Sequence, residues 1–483
     1  MADHSRMLKL GSEASGRSES ELREHLEASR VSIGLDPAIP GVRLAAELLV
    51  RTLRRMPGVI TLDPSDVPSG LVDRIVEEAA LIDPDRPVEV ARTGEFDIAI
   101  RLAATGPRGA LRALPDLHGY RLTSGNGELR QRRPASALGS ASVAAVVSGE
   151  VFKTTAAVKP PRGMLHRTLS FCPVTLTSQP ENGPELPASW RLVGMLLALG
   201  AIGTATALIL SELPVEGDLD LVDPQRYATE NVGTYSLGGV LEGRDKPFKT
   251  DVAAAVLRRF ETRGWHRFAR DLPQLIDAGS LRWPIVMLTG PDSPDARRDA
   301  QRVRPDRMID GGTGGTMVGL HVTAEAGQPC MSCLFPDTVF EGPNSIEELA
   351  AHTGLPPELL VRGADILMEH HLASLDADQQ ALVRPHLGKE ICGLASAIGL
   401  TDLGSGDFQP SVPFVSLTAA ALVVGRLVAQ ATGVEPTANF VQFDALAGPR
   451  RLTAERRRAR PGCECVERAG VIAAVRARRH AQR

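Results

Sequence analysis

The sequence predicts an α/β protein made of two halves, each with a parallel-dominated sheet. Three observations lead there. Short apolar runs alternate with helical patterns from Arg30 to Arg101 and again from Leu192 to Thr323, and such alternation is how parallel βαβ units are written. The stretch from Leu192 to Asp223 (LVGMLLALGAIGTATALILSELPVEGDLDLVD) passes from an apolar run into a small-residue turn at Gly200 and Gly203. It continues through a helical segment, Thr204 to Leu213, to a short strand, Asp220 to Asp223, that ends on a carboxylate. That order suits a mononucleotide: a small turn lets N–H groups and a helix N-terminus reach phosphates, and the terminal acid accepts from ribose hydroxyls. Third, two small-residue apolar helices, Ala135–Thr155 and Val415–Gly433, stand near the ends of the two halves with a serine in their opening residues, a weak internal repeat.

The 483 residues are 43% hydrophobic and 23% charged with net charge −4, an ordinary globular balance that suggests neither nucleic-acid nor membrane-surface binding. No uninterrupted apolar run reaches the ~18 residues of a membrane span. Residues 1–28 are polar, lack an apolar signal core and read as disordered or loosely helical, and the expected location is cytoplasmic. The tail, residues 469–483, is basic, and its last segment, Arg476 to Arg483, is expected to be frayed and solvated.

Residues 29–155 form the first half. Strands are expected at residues 31–34, 58–63, 87–91 and 96–101, with helices at 42–55 and 71–81. This half repeats the order strand, turn, helix, strand with acid. Its turn, however, carries Pro37 and Pro40, and proline has no N–H to offer a phosphate. It reads as a degenerate Rossmann-like half. Residues 156–190, rich in proline, read as a linker with one strand near residues 169–176, in which Cys172 is a buried small apolar residue.

The second half, residues 191–468, continues past Asp223 with Asn231, a glycine-rich loop, Lys249 and a helix over residues 250–260. A strand over 283–289 places Asp292 just beyond its C-terminal end, the edge where open parallel sheets bind ligands. The glycine run 311–315, before a strand over 316–323, is a weak signal that suits a close backbone crossing equally well. Residues 344–387 read as a helical insertion, in which His352, His370 and His371 have no metal-ligand spacing. Cysteines fall into two close pairs, Cys330 with Cys333 and Cys463 with Cys465, which in a reducing compartment favours metal over disulfides.

Taken together, the second half resembles the HesA/MoeB/ThiF superfamily, the adenylating domain of ubiquitin-activating-type enzymes. The resemblance rests on the turn Gly200, Gly203 and Thr204, with Ala198 where a further glycine is common. It rests also on Asp223 followed eight residues later by Asn231, on Lys249 at a helix start, on Asp292 and Arg297 in DSPDAR, and on the two cysteine pairs. It implies a ThiF-type Rossmann-like adenylation domain that uses ATP and Mg²⁺ to convert a carboxylate to an acyl-adenylate. Lys249 would then face the phosphates, Asp292 would hold Mg²⁺ or orient the α-phosphate, Asp223 would bind ribose, and Asn231 and Arg297 would support the phosphate side. Zn²⁺ would sit on Cys330, Cys333, Cys463 and Cys465. Cys392, in LGKEICGLAS with Lys389 nearby, stands where the family often carries a cysteine that takes up the activated carboxylate; a buried structural cysteine is the alternative. Two positions depart from the family: Gln225 replaces a second acid, and Thr234 and Tyr235 replace an Arg-Gln pair. Arg226, Arg244, Arg23 or Arg30 would have to supply the missing charge.

The implied partner is a small ubiquitin-like or sulfur-carrier protein, or a precursor peptide. The implied assembly is a homodimer or, with the degenerate half completing the site, a pseudo-symmetric monomer. A peptide-modifying enzyme with the first half as a peptide clamp, a non-catalytic scaffold, and a dehydrogenase remain as alternatives; the last leaves the cysteine pairs and Lys249 unexplained.

Overall fold

The computed structural model describes residues 4–65, 67–126, 128–324, 328–335, 350–351, 353–360, 366–388, 391 and 412–481. They fall into two compact units, one of residues 1–330 and 410–483, the other of residues 331–409.

Residues 5–28, expected to be disordered or loosely helical, form two well-packed helices, α1 (Ser5–Ser15) and α2 (Glu19–Ala28). Met7, Leu8, Leu10, Leu22 and Leu26 are buried, and Ser18 and Glu21 close a capping box at the start of α2. Apolar residues spaced among many polar ones are enough to fix a helix once a core is available to receive them.

The first sheet contains β1 (Arg30–Leu35), β2 (Val59–Leu62), β3 (Glu89–Val90), β4 (Ile98–Leu102), β5 (Leu111–Asp116), β6 (Gly119–Thr123) and β7 (Leu169–Phe171). Its order is β3-β2-β1-β4-β5-β6-β7. The pairs from β3 through β5 are parallel and the last two antiparallel. The helices of this half are α3 (Val42–Arg54), α4 (Ser69–Ile82) and α5 (Ala137–Thr155). The β5–β6 hairpin carried no signal in the sequence reading. Within the segment 156–190 the strand expected near 169–176 is present as the shorter β7, which completes the sheet.

The second sheet contains β8 (Trp190–Leu197), β9 (Val215–Val222), β10 (Phe260–Trp265), β11 (Val286–Thr289), β12 (Arg307–Gly314), β13 (Met317–Thr323), β14 (Phe440–Asp444) and β15 (Thr453–Glu455). Its order, β10-β9-β8-β11-β12-β13-β14-β15, repeats the first sheet strand for strand and adds β15. The parallel and antiparallel pairings repeat as well. The molecule is therefore α/β with two mixed, parallel-dominated sheets, and its halves share one topology. Its helices are α6 (Ala201–Glu212), α7 (Val240–Asp245), α8 (Lys249–Ala254), α9 (Leu272–Asp277) and α10 (Pro294–Gln301). The helix expected over 250–260 stops at Ala254, and Phe260 opens β10. The glycine run lies mostly inside β12, where a side chain on Gly311 would stand 2.9 Å from Ile202 of α6, so it serves close packing.

The second unit includes α11 (Met331–Leu334), α12 (Pro357–Leu360) and α13 (Ala377–Val383), with a small core of Leu355, Leu360, Leu367, Leu372, Leu375, Val383 and Ile391. In the first unit the chain ends with α14 (Pro413–Ala431), α15 (Glu464–Glu467) and α16 (Ala469–Ala481). The basic tail is thus not a solvated coil. Arg479 is buried and donates to Val303 O and Asp277, and Arg476 to Arg304 O.

One continuous hydrophobic core serves both sheets. α5 packs on α3 and on β5 and β6, α14 packs on α6, β12 and β13, and α5 meets α14, with Phe152 and Phe414 ring centroids 5.4 Å apart. A helix hemmed in on every side must be apolar all round and small enough for close approach. That accounts for the composition of both helices. α14 is long and apolar enough to cross a membrane by length and composition, yet 83% of its apolar window is buried inside the protein.

Candidate functional site

The second sheet's strand order makes the site. α6 carries the chain from β8 to β9 on one side, whereas β11 lies on the other side of β8. Between β8 and β11 the connections diverge and leave a crevice at the C-terminal ends of the strands, the place where such sheets bind ligands. Its floor is the turn from Ala198 to Gly200. Ala198 adopts φ +65°, a left-handed conformation that glycine takes at no cost. Gly200 caps α6, whose first N–H groups have no acceptor within the helix. Gly203 stands so close to the turn that a Cβ there would lie 2.2 Å from Ala198 O. Thr204 donates from Oγ1 to Gly200 O at 2.9 Å and accepts from Ser236 N at 3.2 Å.

Asp223 follows β9 and closes this turn. One carboxylate oxygen accepts from Leu199 N and the other from Gln225 N, both at 2.8 Å, and the residue is 5% exposed. Asn231 is buried, and its Oδ1 accepts from Ala228 N at 2.8 Å, bracing the loop before α7. Lys249 opens α8 and is buried; its Nζ donates to Gln225 Oε1 at 2.5 Å and to the Tyr235 hydroxyl at 2.9 Å. That hydroxyl stands 3.7 Å from where a Cβ on Gly200 would be. The two departures from the family pattern, Gln225 and Tyr235, are thus the groups that tie Lys249 to the mouth of α6.

On the β11 side, Asp292 is exposed and Ser293 caps α10, accepting from Ala296 N at 3.2 Å. Arg297 lies between α10 and the β12–β13 hairpin. It is buried, with Nε donating to Asp310 Oδ2 at 3.0 Å and a terminal nitrogen to Gly311 O at 3.3 Å. His321 Nδ1 meets the same Asp310 oxygen at 3.0 Å. Nothing in the sequence tied Arg297 to Asp310 and His321, because the three meet only when α10 folds over the β12–β13 hairpin. The turn, Asp223, Asn231 and Lys249 gather at one end of the sheet with Asp292 at the rim. Cys392 and Lys389 lie outside the described residues.

A cation from the first half enters the loop between Asn231 and α7. Arg55, at the end of α3 and wholly buried, donates to Val232 O at 2.6 Å, Ser236 O at 3.2 Å and Gly238 O at 2.8 Å. Burial pushes its pKa down to about 10, so it keeps its charge near neutrality. Arg226, one of the arginines nominated from the sequence, stacks on Phe248, its guanidinium carbon 3.9 Å from the ring centroid.

The matching crevice of the first half is filled. Arg101, on β4, donates to Asp63 at 2.7 Å, and its guanidinium lies 1.7 Å from where a Cβ on Gly34 would be. Asp63 follows β2 as Asp223 follows β9. Burial alone would raise its carboxyl, but bonds from Ser65 and the Arg101 charge hold it below the usual range.

Cys330, Cys333, Cys463 and Cys465 are all buried, with their sulfur atoms within 4.8 Å of one another. Cys330 Sγ and Cys463 Sγ are 3.6 Å apart. A tetrahedral ion with Zn–S bonds of ~2.3 Å spaces its thiolates by about 3.8 Å, so the four fit a single metal ion. The tight Cys463–Cys465 spacing is accommodated because Cys463 caps α15 and Cys465 lies in its first turn.

No protein-family model matches the chain, and neither does any curated protein sequence.

Proposed function

We propose that the chain is a ThiF-type adenylating enzyme whose single nucleotide site is the β8–β11 crevice. It would join AMP to the C-terminal carboxylate of a small ubiquitin-like or sulfur-carrier protein, or of a peptide. The observation that carries this reading is the meeting of a glycine turn, a helix N-terminus, a buried lysine and a rim carboxylate at one topological switch point. In the reaction a carboxylate oxygen bonds to the α-phosphorus as the bond to the bridging oxygen breaks, and pyrophosphate leaves with that electron pair. Negative charge grows on phosphate oxygens, where the α6 N–H groups and Lys249 would meet it. Asp223 retains lone pairs for a ribose hydroxyl. An exposed carboxylate beside substrate phosphates suits Mg²⁺, which takes one or two protein carboxylates; Asp292 would hold it, and the ion would neutralise phosphate charge. Zn²⁺ in the cysteine cluster would be structural, since four thiolates fill its coordination sphere.

The test is ATP–pyrophosphate exchange with candidate carrier proteins and peptides. Exchange that depends on a carboxylate C-terminus and falls at least ~100-fold in Asp292→Asn supports the reading; absence of exchange with every candidate, in the presence of Mg²⁺, sinks it. One observation favours a second reading, a scaffold that binds a partner without chemistry: Lys249, Asp223 and Asn231 all bond within the protein. Calorimetry separates the two, because a scaffold shows no heat with Mg·ATP.

A further inference from the structure

We infer that Arg55 is a positioning residue through which the first half holds the nucleotide loop of the second; this rests on the crevice being a nucleotide site. Residues 228–239 are a loop with little regular structure beyond one 3₁₀ turn at Thr229–Asn231. They carry Asn231 and Tyr235, and Tyr235 holds Lys249 over the mouth of α6. The backbone of such a loop has carbonyls that must find donors when buried. Three of them, on Val232, Ser236 and Gly238, turn to the one guanidinium of Arg55. Tyr227 adds a bond to a fourth, donating to Leu237 O at 3.1 Å. The same segment is pressed against the first half elsewhere, since a Cβ on Gly239 would lie 2.0 Å from Leu81 O.

The arrangement runs one way. α3 and α6 occupy matching places in the two topologies, and the residue closing α6 is Leu213 where α3 is closed by Arg55. The half whose crevice is filled by Arg101 donates the clamp, and the half with the open crevice receives it. A planar guanidinium with five donors on three nitrogens reaches carbonyls spread along a loop, whereas the three donors of an ammonium group radiate from a single atom. Fixing the loop in advance removes an ordering cost that nucleotide binding would otherwise have to meet.

A matched control lies next to it. Arg54 is equally buried, but its bonds go to Arg86 O and Gly58 O, both within the first half. Arg54→Lys and Arg55→Lys therefore disturb similar buried arginines, and only the second touches the loop. Two measurements on the full chain decide. Without nucleotide, hydrogen exchange over residues 228–239 is expected to speed up in Arg55→Lys and to match the parent in Arg54→Lys. With Mg·ATP, Arg55→Lys is expected to bind on the order of tenfold more weakly, the worth of one or two lost bonds. In pyrophosphate exchange that loss should fall on KM for ATP, with kcat within about twofold. Unchanged protection of 228–239 in Arg55→Lys, or equal changes in both variants, overturns the inference. If the parent binds no ATP, the nucleotide reading fails and the exchange comparison alone judges the clamp. If Arg55→Lys does not fold, Arg55→Gln takes its place with Arg54→Gln as its control: faster exchange in 228–239 confined to Arg55→Gln supports the clamp, and unchanged or equal exchange overturns it.

Discussion

Gly200 and Gly203 look alike in the sequence and do different work. A Cβ on Gly203 would meet Ala198 O at 2.2 Å, a backbone atom that moves only if the turn opens. At Gly200 the backbone φ of −75° suits any residue, and the nearest atom to a Cβ is 3.7 Å away. Gly203→Ala should therefore cost about 1–3 kcal/mol in denaturant melts, and Gly200→Ala no more than ~0.5 kcal/mol. If the crevice holds phosphates, Gly200→Ala should still weaken Mg·ATP binding, because the new methyl would stand at the cradle; equal affinity for parent and variant would count against a cradle there. A second residue-scale prediction concerns His166. Its Nδ1 is 3.5 Å from Lys153 Nζ, its buried Nε2 has no partner among the described residues, and burial, with Lys153 and Arg450 nearby, pushes its pKa down to about 4 from 6.5. The unfolded chain thus takes up a proton between those values when the folded chain does not, so stability should fall as pH drops from 6.5 towards 4. The Glu150 carboxyl beside it, raised by burial, titrates in the opposite sense. The informative quantity is the difference between the parent and His166→Gln, in which the histidine part of the slope should vanish.

At the scale of elements, the cysteine cluster ties the start of α15 to Cys330, while α16 has its own anchors in Arg476 and Arg479. Metal analysis should find one zinc per chain. Cys465→Ser should lower that occupancy and the melting midpoint, and a chelator should reproduce the midpoint shift in the parent but not in the variant. A parent that holds no metal and melts indifferently to chelator would make the cluster a set of buried thiols. This cluster was legible because cysteines are rare enough for pairs to stand out. Two of the parallel strands were legible for a related reason: β11 and the C-terminal half of β8 are buried on both faces and read as near-continuous apolar runs. The β5–β6 hairpin was not, since Arg112, Asp116 and Arg121 break its apolar pattern and find their partners only in the fold: Arg121 donates to Asp116 at 2.6 Å. A like reason hid the anchoring of the helical tail, whose Arg476 and Arg479 bond to distant backbone carbonyls. The ion pair of Arg297 with Asp310 was hidden for a like reason, its partner being a strand residue that nothing local identifies.

For the whole molecule, two copies of one topology have diverged in a directed manner. At the matching place the first half differs in two ways: Pro37 and Pro40 offer no N–H in the turn, and Arg101 with Asp63 occupies the space above Gly34. What it keeps is the packing of α5 against α14 and the Arg55 contact, both of which serve the second half. The repeat that two small-residue helices hinted at is complete in strand order, and only the full order of the sheets makes it visible. A duplicated fold with one open crevice predicts a binding ratio. Calorimetry with Mg·ATP, or a slowly hydrolysed analogue, should give one nucleotide per chain. Arg101→Ala would empty the space in the first half without restoring N–H groups to its turn, so the ratio should remain one in that variant. A ratio of two in the parent would mean that Arg101 yields to a nucleotide and that both halves bind. A ratio of two only in Arg101→Ala would mean that the arginine alone, and not the prolines, closed the first site.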